Sequence, residues 1–324
     1  MSLRDEIPES LLERARAAVA PHVRRTPILA SGTPGAVFKA ECRQVTGSFK
    51  VRGPLVKFAG LSPAGRDRGF VTASAGNHAL GAAWAARACG VRLSIVVPEG
   101  TPEVKRGKLA EMGVEPIVSG DGFDAAEVRA RTLALERGAP YLSPFDDLEI
   151  MAGNGGTLAL EILEDVPALA RLVVPVGGGG LLGGVAAAIL HRKPGVEIVG
   201  VQSAACPAMA DSFARGAAIE ACPASEPTVA EGLEGGVAAR TYRFAREVLR
   251  EVRLVSERAI RRAIAEFDER HGLAVEGSGA VTLAALREGL LGDPPPRGGA
   301  TVLLLTGGNV DPARVRACRA ESRS

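Results

Sequence analysis

Apolar positions along the chain switch between two periods. Short runs of branched residues alternate with longer segments that carry apolar residues every third or fourth position. The first helical pattern covers about Ser10 to Ala20. A Pro-bearing lead-in, RRTPILAS, brings the chain to a short strand at Val37–Glu41, and the next helix opens at Lys50 and ends near Gly60. Leu61–Gly69 reads as a polar Pro/Gly link. A regular alternation follows: strand Gly69–Ala73, helix Asn77–Cys89 closed by Gly90, and strand Arg92–Val97. Next come a helix from Pro102 to about Met112 capped by Thr101, strand Val114–Val118 and helix Phe123–Arg137.

After a loop at Tyr141–Asp147 the alternation resumes, with helix Thr157–Leu163, strand Arg171–Val176, helix Leu181–His191 and strand Val196–Gln202. Residues Ala204–Val237 read as irregular. Helices at Arg240–Arg250 and Glu257–His271, a helix starting near Gly277, strand Thr301–Leu305 and a last helix from Asp311-Pro312 complete the pattern. Strands alternating with helices of this length predict an α/β fold with mainly parallel sheets covered on both faces.

Composition narrows the function classes. The chain has 324 residues, 46% apolar and 23% charged, with a formal net charge of +2. That is a globular composition with material for two domains. Basic residues do not cluster among aromatics, so nucleic acid is not an expected partner. No apolar run approaches the roughly 20 residues that span a bilayer. The N-terminus reads as an amphipathic helix, not a signal peptide. The five cysteines form no C-x-x-C pair and the four histidines are dispersed, so no metal is expected and a reducing cytoplasm fits.

Four strand-to-helix junctions carry candidate chemistry. In ECRQVTGSFKVRGP, Lys50 follows Gly47, Ser48 and Phe49. Such a setting could hold an amine out of bulk water, as a reactive lysine requires, although the local sequence alone favours an ordinary turn lysine. In VVPVGGGGLLGG, a branched strand runs into Gly177, Gly178, Gly179 and Gly180 ahead of a helix, a phosphate cradle built of backbone N–H groups. The same run matches G-x-G-x-x-G, which raises a nicotinamide oxidoreductase as a rival. The acidic residue that fingerprint needs after the next strand is replaced by Gln202. In TASAGNHALG, Ser74, Ala75, Gly76, Asn77 and His78 lie at a helix start suited to a carboxylate. Asn77 as a plain cap and His78 as a structural histidine are the alternatives. In LLLTGGNVD, Thr306 puts a hydroxyl at the end of a buried strand. A lysine, a phosphate cradle, a carboxylate site and a hydroxyl are together what pyridoxal phosphate and an amino-acid substrate would use.

The runs TGSFKVRG, SAGNH, SPFDD, PVGGGGLLGG and TGGN, in this order over most of the chain, closely resemble the serine/threonine dehydratase family of fold-type II pyridoxal-phosphate enzymes. The resemblance implies two three-layer αβα domains like those of the tryptophan synthase β chain. Residues 1–53 plus 147–324 would form the large domain and residues 54–146 a small mobile one. It implies Lys50 as the Schiff-base lysine, Phe49 near the cofactor ring, and Asn77 on the phenolic oxygen. Gly177 to Gly180 and the amide of Leu181 would hold the phosphate, with Thr306 at the pyridine nitrogen. Ser74 to His78 would bracket the substrate carboxylate. The implied reaction is β-elimination from threonine or serine to a 2-oxo acid and ammonia, with the cofactor phosphate protonating the leaving hydroxyl, in a cytoplasmic homodimer or homotetramer. The alternatives are another fold-type II lyase, such as one acting on 3-hydroxyaspartate, and a non-catalytic ligand binder.

This sequence also departs from the family. Racemases carry a serine where Ala75 stands, so racemisation is not expected here. Gln202 and Ala208 occupy the positions through which some relatives bind a divalent metal. Val51 and Pro54 are unusual after the lysine. The family's G-Q-G-T is one residue longer here, Gly153-Asn154-Gly155-Gly156-Thr157. The chain stops soon after its last helix, so the regulatory domain of feedback-controlled members is not expected.

Overall fold

The computed structural model describes residues 1–295 and 298–322. Two parallel-rich sheets organise it. The larger has six strands in the order β1 (Ile28–Ala30), β2 (Ala36–Lys39), β9 (Ala300–Leu304), β6 (Leu169–Pro175), β7 (Glu197–Ser203) and β8 (Val252–Val255). Only the β1–β2 pair is antiparallel. The smaller sheet runs β3 (Phe70–Ala73), β4 (Leu93–Val97) and β5 (Ile117–Val118), all parallel.

Both sheets are covered on both faces, and strand pleating divides the apolar side chains accordingly. In β6, Leu172 and Val174 belong to one core and Val173 to the other; in β9, Val302 and Leu304 oppose Leu303. In β4, Ile95 and Val97 face Ala79, Ala83 and Leu109, whereas Val96 faces Ala126, Ala130 and Leu133. These buried alternations explain why the strands were legible as branched runs. The architecture is the expected α/β one, with mainly parallel sheets.

Several expectations need correction. The Leu61–Gly69 link contains a helix, Pro63–Arg68, because Ser62 Oγ accepts from Gly65 N at 3.2 Å and Pro63 occupies the first position, where no N–H is needed. Thr101 does not cap the following helix. Pro102 is its N-cap residue without a side-chain bond, and the helix is Glu103–Glu111. The strand drawn at Val114–Val118 shrinks to the edge pair Ile117–Val118. Two short strands, β1 and β8, lay inside stretches read as a lead-in and as a connection between helices. Within 204–237 a helix, Ala208–Arg215, starts where Gln202 Oε1 accepts from Met209 N and Ala210 N. The helix read from Thr157 begins instead at Leu148, with a π turn at Ala152–Gly156. A one-turn helix, Leu3–Glu6, capped by Ser2, precedes the first helix read from the sequence; the other helices agree with the sequence pattern to within one or two residues.

Candidate active site

Backbone pairing builds the site around Lys50. The segment after β2 is laced to the end of β9: Cys42 N donates to Leu305 O at 3.0 Å, Phe49 N to Thr306 O at 3.2 Å and Gly308 N to Gly47 O at 2.9 Å. Gly47 has φ +73°, a turn that an L side chain rarely adopts. Lys50 then sits in a 3₁₀ turn, Phe49–Val51, that leads into helix Arg52–Ala59. Pro54 falls in the first turn of that helix, where a missing N–H costs nothing. Helix Asn77–Cys89 lies directly on Lys50, since a Cβ on Gly81 would stand 2.7 Å from the Lys50 carbonyl.

The amine is half-buried, and its Nζ donates to Pro144 O at 3.2 Å. Desolvation lowers its pKa to about 8, against the charge of Glu276, which pulls it upward. Lys50 is therefore an amine whose free-base form is accessible near neutral pH.

The glycine run lies across the same loop. A Cβ on Gly178 would stand 2.8 Å from the Phe145 ring, and one on Gly180 would stand 2.5 Å from Phe145 O. Gly179 has φ +90°, and its Cβ would meet Thr241 at 2.8 Å. Side chains are thus excluded from the run. Among the described residues no acceptor takes the amide hydrogens of Gly177, Gly178, Gly179, Gly180 or Leu181, at the start of helix Gly180–Arg192. Unspent amides at a helix N-terminus are an anion site of phosphate character, so the cradle fits a phosphate-bearing cofactor. Ser48 Oγ and His78 Nδ1, both buried near Lys50 in sequence or packing, also lack partners. Gly179→Asp is expected to lower retention of pyridoxal phosphate on dialysis by about a hundredfold or more, as a strained backbone and a negative charge oppose the phosphate. Retention equal to the parent would count against the cradle.

The predicted carboxylate site is also placed. Ser74 Oγ accepts from Gly76 N at 3.2 Å, and the amides of Ala75, Asn77 and His78 find no acceptor among the described residues. His78 contributes only its backbone there. Its ring is buried, Nε2 lies 3.1 Å from Thr72 Oγ1, and burial, helped by the Lys50 charge, pushes its pKa down to about 3. Asn77 links two further groups: Nδ2 donates to Glu276 Oε1 at 2.6 Å, and Oδ1 accepts from Asn309 Nδ2 at 2.7 Å. Thr306, 3% exposed, lies just beyond the end of β9, where its carbonyl accepts from Phe49 N.

Glu276 joins the site, a role the sequence reading did not assign to it. Burial pushes its carboxyl up to about 7, opposed by the hydrogen bond from Asn77. Its signal was present: a lone charge in LAVEGSGAVTLAAL, an otherwise apolar or small-residue run. A Cβ on Gly307 would collide with its carboxylate, which explains the second glycine-bearing turn.

The profile of the family described as "Pyridoxal-phosphate dependent enzyme" matches residues 19–307, and the chain belongs to that family. A Staphylococcus aureus protein named "L-threonine dehydratase catabolic TdcB" is 38% identical over 312 residues, covering 94% of this chain and 89% of that one. A Geobacter sulfurreducens "L-threonine ammonia-lyase" is 39% identical, covering 94% of this chain and 76% of its own length. Among solved structures, maize serine racemase superposes with a TM-score of 0.88 at 31% identity, covering 96% of each chain. The dinucleotide alternative falls here, since the family takes pyridoxal phosphate and the Gln202 carbonyl is spent on a helix start. Among the described residues no helix is long and apolar enough to cross a membrane.

Proposed function

We propose that the protein is a pyridoxal-phosphate-dependent lyase that eliminates water from a β-hydroxy amino acid, threonine or serine, and yields, once that water is regained on hydrolysis, a 2-oxo acid and ammonia. The observation that carries this reading is the placement of the lowered-pKa Lys50 amine and the unspent amides of Gly177–Leu181 on the two sides of one loop, Ser143–Phe145. When bound, pyridoxal phosphate supplies an aldehyde that bonds to amines and a conjugated ring that takes up the electron pair left at the substrate Cα.

The protein's residues do the rest. Gly177 to Gly180 and the Leu181 amide hold the phosphate, and Lys50 is the lysine that carries the cofactor. Phe49 and Asn77 orient the ring, the latter through its side chain. The amides of Ala75, Asn77 and His78, with Ser74 and Gly76 shaping the turn, receive the substrate carboxylate. With the cofactor bound to substrate, the freed Lys50 amine would take the Cα proton as general base. Thr306 presents a neutral hydroxyl where a carboxylate would stabilise a protonated ring nitrogen, so the cofactor held there would be a weaker electron sink, which would favour loss of the β-hydroxyl, leaving with a proton as water, over return of a proton to Cα. Ala75 holds no proton to return from the opposite face, which disfavours racemisation. The released unsaturated amino acid hydrolyses to the 2-oxo acid and ammonia.

Residues 54–146 are read as a small domain that moves on the remainder, with Lys105 on helix Glu103–Glu111 reaching Glu231 at 3.8 Å. The protein is read as cytoplasmic and as a homodimer or homotetramer.

A panel of threonine, serine and 3-hydroxyaspartate, followed by 2-oxo acid release, tests the function. Threonine or serine is expected to lead. The two are expected to differ by roughly 10–200-fold, the range for one methyl in a pocket. Turnover of 3-hydroxyaspartate alone would move the reading to the neighbouring lyase.

The pKa of Lys50 gives a second test. Capture of pyridoxal phosphate by the apoprotein needs the free amine. Its rate is expected to rise about tenfold per pH unit below about 8 and to level off above it. In Glu276→Gln the levelling point should move to lower pH, because the carboxylate charge that raises the lysine pKa is gone. An unchanged profile would remove Glu276 from the electrostatics of the site.

A further inference from the structure

The helical run from Leu148 to Asp165 carries one π turn, Ala152–Gly156, and all five of its residues are buried. A π turn accommodates one extra residue in an α-helix and is kept mostly where it serves a function. Here it is wedged between the two halves of the site. On one side, a Cβ on Gly153 would stand 2.6 Å from Gly53 Cα and 2.7 Å from Arg52 O, in the turn that follows Lys50. On the other, a Cβ on Gly155 would strike Leu181 O and stand 2.6 Å from Val185 N, in the helix that follows the glycine cradle. Bare backbone therefore sets the separation of the lysine helix from the cradle helix.

Asn154 is the one polar side chain of this turn and is 2% exposed. Its Oδ1 accepts from Gly53 N at 2.8 Å. Gly53 is the second residue of helix Arg52–Ala59, so its N–H is one of the donors that a helix start leaves unpaired. Asn154 thus caps the Lys50 helix from a neighbouring helix, and no cap comes from within that helix. We propose that Asn154, held by the π turn, is a positioning residue: it fixes the turn that carries Lys50 relative to the phosphate cradle. This rests on the reading of Lys50 as the cofactor lysine.

The test uses the holoenzyme with Asn154→Leu, which removes the acceptor, Asn154→Ala, which removes it with less strain, and Asn154→Asp, which keeps an oxygen at the same place. Borohydride reduction and peptide mass first locate the cofactor in the parent. Asn154→Leu and Asn154→Ala are expected to lose roughly tenfold to a hundredfold in kcat, the scale of an ångström-sized misplacement. KM should stay nearly constant, and the pH at which the cofactor absorbance titrates should shift. Asn154→Asp should recover most of kcat and the parental titration. A lower melting temperature with unchanged kcat and unchanged titration would overturn the proposal, as would an Asp variant as impaired as the Leu one. Cofactor found on a lysine other than Lys50 would overturn the lysine reading and this proposal with it. Cofactor on Lys50 with indifferent Asn154 variants would overturn this proposal alone.

Discussion

Lys50→Ala should abolish lyase activity, with a loss of about a thousandfold or more, because on the proposed reading one side chain holds the cofactor and moves the Cα proton. The spectrum should change in parallel. The lysine-bound cofactor absorbs near about 410–420 nm, and that band should be absent from the variant even with pyridoxal phosphate in excess. The fold should survive. Lys50 ends in a single hydrogen bond to the Pro144 carbonyl and lies in no ion pair among the described residues, while burial works against its charge. An alanine removes that unfavourable term. The apo variant should therefore melt at or above the parent temperature near neutral pH, and it should keep binding phosphate through the Gly177–Leu181 amides. Retention of the band in Lys50→Ala would send the search to another lysine. Loss of phosphate binding as well would mean that the cradle depends on Lys50 for its shape.

The sequence showed the parts of this site more clearly than their joints. Each glycine-bearing junction was legible because close backbone approach or a left-handed φ leaves a residue-level trace, as at Gly47 and Gly179. Strands β4, β6 and β9 were legible because both faces are buried and their residues are branched. What could not be read was contact between distant segments. Nothing near Glu276 in sequence says that Asn77 will donate to it from 199 positions away. The π turn was invisible for a related reason. A-G-N-G-G has the composition of a loop and low helix propensity, and only its packing between the Lys50 helix and helix Gly180–Arg192 makes it helical. The edge strands β1 and β8 failed differently: with three and four residues they fall below the length at which alternation is detectable.

Arg52→Met should be the most destabilising conservative-volume change near the site, by about 3–5 kcal/mol, as for removing one partner of a buried ion pair. Arg52 and Glu41 are both 0% exposed. Arg52 Nε and Nη2 donate to the two Glu41 oxygens at 2.9 Å each, and Nη1 donates to Glu161 Oε1 at 2.7 Å. Thr26 Oγ1 donates to Glu41 Oε1 at 2.5 Å. Without Arg52, Glu41 would remain a buried carboxylate hydrogen-bonded by the Thr26 hydroxyl and favoured only by the more distant Lys39 charge. Removing both, as in Arg52→Met with Glu41→Leu, should cost much less than the sum of the single changes, since Glu161 keeps Lys39 Nζ at 2.8 Å. The pH dependence has a definite sign. Burial alone would raise the Glu41 pKa, but the charge and hydrogen bonds of Arg52 overcome it and hold the carboxyl below its usual value of 4.5. The pair's contribution is thus present above the unfolded-state pKa and is lost as pH falls through the lower folded-state value. Urea melts from neutral pH into the acid range should show this loss in the parent and a weaker one in the double variant. Equal acid sensitivity in both would place the acid-labile group elsewhere. Because Arg52 stands two residues from Lys50 in the same turn, the single variant should also report on function: after correction for unfolded protein, kcat should fall while phosphate affinity at the glycine run, which Arg52 does not touch, stays at the parental level.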